Sequence, residues 1–226
     1  MTKETGSVVR LHSSLTASEE GPVSAIPGKP PVKVMLTQGD LDGACGQYCV
    51  WMALIALGLA SRSWLTDENG KGADRAQGLA WKIGAKQFFS GITDVGVKKM
   101  LKPYRPRLDR EISRLKGKRL ISFVVERLGG NALCLVGVRT GDRKLDHWVL
   151  AIGMSGVVKE GKFQANELLL LDPMYGPVPG QAWNATLSTA GATARASDRQ
   201  FKTPDGKVTL VELDQAVSIT LKKSTK

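Results

Sequence analysis

The sequence predicts an α+β fold, on three observations. A segment that is apolar on every side follows Cys45 and reads as a wholly buried helix. Helix-patterned segments crowd the first half of the folded region, and short blocks rich in Val, Leu and Ile crowd the second. The clusters GGN, GDRK and KEGK space those blocks as the turns of an antiparallel sheet would.

The elements follow in order. Residues 1–32 are rich in Ser, Thr, Gly, Pro and Glu and end in IPGKPPVK, so a flexible leader is expected there. Residues 33–226 are expected to form a single domain. VKVMLTQ opens it as an extended piece, and the buried helix follows at Cys45. The loop TDENGKG carries capping and turn residues ahead of a second helix over DRAQGLAWKIGAKQFF. VGVKKMLKPY and REISRLKG read as short helices broken apart by Pro103 and Pro106. RLISFVVERL, ALCLVGVRT, HWVLAIGM and ELLLLDP read as strands. AWNATLSTAGATARASDRQ reads as a loop with small regular pieces, and KVTLVELDQAVSITL as closing strands.

Composition narrows the function. A chain of 226 residues, 42% hydrophobic, buries a substantial core. Its longest apolar run, Cys49 to Leu57, falls well short of the roughly 18–20 residues that a membrane span needs. No basic start followed by an apolar block marks a secretory signal. Three cysteines is an odd number, which favours free thiols in a reducing compartment over a disulfide framework. With neither C-x-x-C nor paired histidines, no structural zinc site is expected. A location in the cytoplasm, or secretion into a target cell without a classical signal peptide, is the expectation from these features.

The net charge is +11, and ten basic residues between Lys98 and Arg119 face only Asp109 and Glu111 in the same segment. Such a segment suits an anionic partner or a solvated helical face equally well. Only Tyr104 interleaves it, so nucleic acid is a poor candidate partner.

The chemistry centres on Cys45. At a helix start, unpaired backbone N–H groups and the positive end of the dipole favour a thiolate. Gly43 and Gly46 in DGACG let backbone and substrate approach closely. A thiolate attacking a carbonyl creates an oxyanion, which needs donors: the N–H of the nucleophile and a side-chain amide, for which Gln38 is placed seven residues earlier. Of the two histidines, His12 lies in the leader, whereas His147 opens the strand HWVLAIG. Asp172 closes the next strand, and Pro173 holds it extended, so it is the candidate to orient the imidazole. Asp146 is its competitor, but its side chain leaves the opposite face of the strand from His147. Cys134, within ALCLV, reads as core, and Trp148 either walls a cleft beside His147 or packs. Asn184-Ala185-Thr186 matches a glycosylation acceptor.

The order Gln38, Cys45 at a helix start, His147 opening a strand and Asp172-Pro173 closing the next resembles the papain-like cysteine peptidase superfamily. Within it, Cys45-Gly46-Gln47-Tyr48-Cys49 is most similar to the bacterial branch that includes the bacteriocin-processing, double-glycine-leader peptidase domains of peptide exporters. That branch carries an Asp or Asn immediately before the nucleophile; here Ala44 stands there, with Asp42 two places earlier.

The resemblance covers about residues 33 to 178. It implies a papain-like fold, with an N-terminal helical part whose buried nucleophile helix packs on an antiparallel sheet. It also implies Cys45 as nucleophile, His147 as general base and acid, Asp172 as orienter and Gln38 as oxyanion donor, with no metal or organic cofactor. The chain has no Walker motif and no span, so the implied protein is a free-standing cysteine peptidase acting on a protein or peptide, and with the basic charge and the leader a bacterial toxin or effector is the expected role. A cognate inhibitor or immunity protein would then be a natural partner. Two rivals stand beside it: a deamidase or transglutaminase-type acyl transferase using the same thiol, and a non-catalytic binding module working through the basic segment. Cys49, whose C-V-W resembles the Cys-Trp of plant and lysosomal relatives, is a weaker nucleophile candidate because it lies inside the apolar run.

Overall fold

The computed structural model describes residues 6–39, 42–66, 74–143, 146–191 and 198–222. In chain order these form β1 (Ser7–Leu11), β2 (Leu15–Ser18), β3 (Gly21–Ser24), α1 (Cys45–Ala56), α2 (Arg62–Thr66), α3 (Arg75–Ala85) and α4 (Asp94–Leu101). A 3-10 turn (Lys102–Tyr104), β4 (Leu108–Ser113), α5 (Gly117–Gly129), β5 (Leu133–Arg139) and β6 (Asp146–Lys159) follow. The chain ends in β7 (Lys162–Leu171), β8 (Ala185–Ser188), β9 (Arg199–Lys202) and β10 (Val208–Leu221).

The architecture is a closed barrel. Neighbouring strands run β6-β5-β10-β9-β8-β7, and β7 pairs back to β6, so six antiparallel strands form a ring. Two long strands make closure possible. The first half of β6 pairs with β5 and its second half with β1, while β7 lies along its other edge. In the same way, β10 gives Val208–Val211 to β9 and its C-terminal part to β5 and β4. The expectation of an α+β, papain-like fold is therefore corrected: the protein is β-rich, and its sheet curls into a barrel instead of serving as an open layer for a helical half.

Strand alternation divides the apolar side chains into two layers. One draws on all six barrel strands, including Val136, Val149, Leu170, Leu187, Phe201 and Leu213, and is the barrel interior. Leu120, Ile121, Phe123, Val124 and Leu128 of α5 pack into it. The other layer uses the opposite faces of β5, β6, β7 and β10 (Leu135, Leu150, Leu171, Val217) and packs against α1 and α4. Every residue of α1 except Tyr48 is buried, which suits a helix with no polar face.

Three local expectations are corrected. RLISFVVERL is helix α5, because Leu120, Ile121, Val124 and Leu128 recur on one helical face and that period outweighs the β-branched composition. REIS lies in strand β4, where Leu108 and Ile112 alternate with exposed Asp109 and Glu111 and the backbone is held by β10. The leader, expected to be flexible, is ordered over residues 7–24. There β1 joins the barrel edge at β6, β2 and β3 form a hairpin, and His12 is buried, its N–H donating to the Ile152 carbonyl at 2.8 Å. The Pro-rich end of that segment is tied down as well, with the Val34 N–H donating to the Pro22 carbonyl at 3.0 Å. Residues 1–5, most of the expected TDENGKG loop and residues 192–197 lie outside the described residues. No helix among the described residues is long and apolar enough to cross a membrane.

Candidate active site

The nucleophile end is built by the loop ahead of α1. Asp42 accepts from the Gly39 N–H at 2.7 Å through Oδ2 and from the Ala44 N–H at 3.1 Å through Oδ1, which fixes the turn. The acidic residue two places before the expected position thus organises the approach to Cys45. The Gly43 N–H donates to the Phe88 carbonyl at 3.1 Å, and a Cβ on Gly43 would lie 3.0 Å from the carbonyl oxygen of Phe89. Cys45 is the first residue of α1, as its place before the apolar run predicts. The helical ladder begins with the Tyr48 N–H donating to the Ala44 carbonyl, so the first-turn amides of Cys45, Gly46 and Gln47 are not consumed by the helix. Gly46 is required by packing: a Cβ there would collide with Ile92 and stand 3.0 Å from Trp148 Cδ1.

The strands deliver the base and its partner. β6 starts and β7 finishes at the same end of the barrel, since Leu150 pairs with Leu171, so His147 and Asp172 meet there. His147 Nε2 lies 2.7 Å from Asp172 Oδ1. With Nε2 engaged by the carboxylate, Nδ1 is left for Cys45, whose interaction with the imidazole favours its protonated form. The Trp148 N–H also reaches Cys45 Sγ, at 3.5 Å. Burial lowers the His147 pKa, but hydrogen bonds to Asp172 and Cys45 and the charges across those contacts outweigh it and push the value up to about 9. The raised value favours the imidazolium. Asp146 is exposed and does not compete.

Asp172 is fully buried and held from several sides. Its Oδ1 also accepts from the Met174 N–H at 2.9 Å, while Oδ2 is enclosed without a hydrogen-bond partner. Its backbone is clamped by Asn184, a residue the sequence reading missed in this role. Asn184 Oδ1 accepts from the Asp172 N–H at 2.7 Å, and Nδ2 donates to the carbonyls of Asp172 (2.9 Å), Tyr175 (3.2 Å) and Gly176 (3.1 Å). The side chain is buried, so it is also unsuited to glycosylation. No local signal marks it; its position depends on the pairing of β7 with β8, in which Leu170 faces Ala185.

Gln38 is brought to the same region by its backbone, whose N–H donates to the Pro173 carbonyl at 2.8 Å. Its Oε1 is buried without a hydrogen-bond partner, and among the described residues no hydrogen bond joins its side chain to Cys45 or His147. Cys49 is fully buried, and its thiol donates to the Trp148 carbonyl at 3.3 Å. Burial, with smaller contributions from Cys45 and Asp172, raises its pKa well above the ordinary thiol value. Cys134 is likewise sealed, and burial pushes it up to about 12. Trp148 packs, and its indole N–H donates to the Ile92 carbonyl at 2.8 Å.

Two openings adjoin the site. A cavity of about 320 Å³ reaches His147 and Asp172 from the barrel end, with Tyr175, Phe201, Thr203 and Lys207 around it. A larger groove of about 810 Å³ starts one turn along α1 from Cys45 and beside Gln38, at Thr37 and Tyr48, and is walled by Met35, Trp51, Trp81 and Phe88. Its lining stops short of Cys45 and His147. Burial and the neighbouring Asp42 carboxylate both raise the Tyr48 pKa, keeping the phenol neutral at the groove's inner end. No protein-family model matches the chain, and no curated protein matches it in sequence.

Proposed function

We propose that the chain is a cysteine peptidase that hydrolyses peptide bonds of a protein substrate. The observation that carries this reading is the buried His147–Asp172 pair at 2.7 Å, next to Trp148, whose N–H reaches the Cys45 thiol at the first turn of α1. A packing cysteine needs no imidazole–carboxylate pair, and Cys49 instead spends its thiol on the Trp148 carbonyl.

In this reading Asp172, fixed by Asn184 and the Met174 amide, orients the ring and stabilises its protonated form. Cys45 Sγ, its proton held by His147, attacks the peptide carbonyl carbon. The electron pair moves onto the carbonyl oxygen, where the unused Cys45 N–H and the Gln38 amide are the donors assigned to receive it. Collapse breaks the C–N bond, and imidazolium gives its proton to the leaving amine. Water, deprotonated by the now neutral ring, attacks the thioester, releases the acid and returns the thiol. The aromatic groove beyond Tyr48, about 810 Å³ in volume, has room for side chains of a peptide, which favours a peptide over a small amide as substrate.

The test is mass spectrometry of denatured-proteome peptides and of a folded-protein panel treated with the wild type and with Cys45→Ala. New termini made only by the wild type support peptidase action. A gain of about 1 Da at glutamine without new termini assigns deamidation, and amine cross-links assign acyl transfer. Identical maps from both proteins overturn catalysis by this thiol.

A further inference from the structure

Part of the basic segment folds into a recess that shares no lining residue with the two openings beside the candidate site. Lys98 comes from α4, Arg105 from the end of the 3-10 turn and Arg110 from β4, and together with Leu108 and Asp109 they line a cavity of about 350 Å³. Other cations nearby are already matched: Arg107 with Asp74, Arg114 with Asp94 and Arg127 with Glu111. Lys98, Arg105 and Arg110 have no ion-pair partner among the described residues. The one carboxylate in the recess, Asp109, has Lys222 3.5 Å away.

Arg110 is the informative member. It stands opposite Ile219 of β10 and shares a strand face with Leu108 and Ile112, so its stem lies on the face of β4 that packs inward. Its Nε is enclosed by protein with no hydrogen-bond partner. A half-buried guanidinium with an unsatisfied donor, beside two further cations, is costly unless an anion joins it.

We propose that this recess binds a phosphoryl group. A phosphate dianion fits the volume, accepts from a guanidinium fork and two further cations, and neutralises their mutual repulsion. Arg105 and Arg110 line the same recess, and burial followed by the charge of Arg105 lowers the Arg110 pKa, a penalty that a bound anion would relieve.

The test titrates inorganic phosphate and pyrophosphate into the full chain in chloride buffer, followed by backbone amide NMR. Saturable shifts at Lys98, Arg105 and Leu108–Arg110 are expected. Arg110→Gln weakens binding about tenfold, the loss of one charge-assisted contact. The exposed double variant Lys98→Gln/Arg105→Gln does the same without disturbing β4, whereas Lys99→Gln/Lys102→Gln leaves binding unchanged. A vesicle arm separates the sources. Co-sedimentation with phosphatidic acid vesicles that pyrophosphate displaces assigns a lipid headgroup, and binding of pyrophosphate without co-sedimentation assigns a soluble phosphate compound. Absence of saturable shifts, or equal weakening by the Lys99/Lys102 pair, overturns the site.

Discussion

Raising the pH should weaken the fold through one residue. In the folded protein His147 titrates at about 9, whereas an unfolded histidine titrates at about 6.5. A folded value above the unfolded one means the native state binds the proton more tightly. The resulting stability is fully present below pH 6.5 and disappears as the pH climbs through 9. The gap amounts to about 3 kcal/mol, at about 1.4 kcal/mol for each pH unit. The cause is local: burial acts against the imidazolium, and the hydrogen bonds and charges of Asp172 and Cys45 overcome it. Asp172→Asn removes the buried carboxylate and leaves burial dominant, so the ring in that variant should be neutral at pH 7. Urea unfolding of both proteins at intervals from pH 6 to 10 reads the effect. The wild type should lose about 3 kcal/mol more than Asp172→Asn between pH 6.5 and 9.5. Parallel curves for the two proteins would refute the ion-pair reasoning, and His147→Gln, which should also flatten the curve, guards against an indirect effect of the Asn substitution.

Four further outcomes follow. Hydrolysis should decline as the pH rises through about 9, because the imidazolium that protonates the leaving amine is lost; a pH–rate profile still climbing at pH 10 would contradict that role. Asn184→Ala should cost about 2–4 kcal/mol in chemical unfolding, since it strips four hydrogen bonds from the Asp172 turn, and should lower kcat more than it raises KM. Gly46→Ala should destabilise by about 1–3 kcal/mol in the same assay, because its methyl meets Ile92 and Trp148. His12, whose pKa burial lowers to about 4, makes the opposite pH contribution to His147. Its stabilisation is present above pH 6.5 and lost as the pH falls through 4, so His12→Gln should flatten acid unfolding by about 3 kcal/mol.

Legibility in the sequence tracked how local the determining force was. The all-apolar face pattern of α1 and the Val/Leu blocks of β5, β6 and β7 carry their own structure, because burial on every side or on alternate sides is written in consecutive residues. β4 is polar at four of its six positions and becomes a strand because β10 supplies its hydrogen bonds. In α5 the composition of Phe, Ile and paired Val pointed to a strand, and only the spacing of Leu120, Val124 and Leu128 carried the helix. Barrel closure rests on β6 and β10 each serving different partners at their two ends, which no single segment announces. At the candidate site, the sequence singled out Cys45, His147 and Asp172 because each stands at or next to the end of an element, where backbone direction limits what a side chain can meet. Asn184 was not, since its task is set by a strand pairing 12 residues from the aspartate it holds.

The central claim is that Cys45 is set apart from the other thiols by the imidazole beside it. Iodoacetamide treatment of the native protein at pH 7, with the modified cysteine located by peptide mapping, measures this directly. Cys45 should be alkylated while Cys49 and Cys134 stay unmodified, and His147→Gln should slow the Cys45 reaction about tenfold or more. A Cys45 rate indifferent to His147, or Cys49 reacting first, would contradict it.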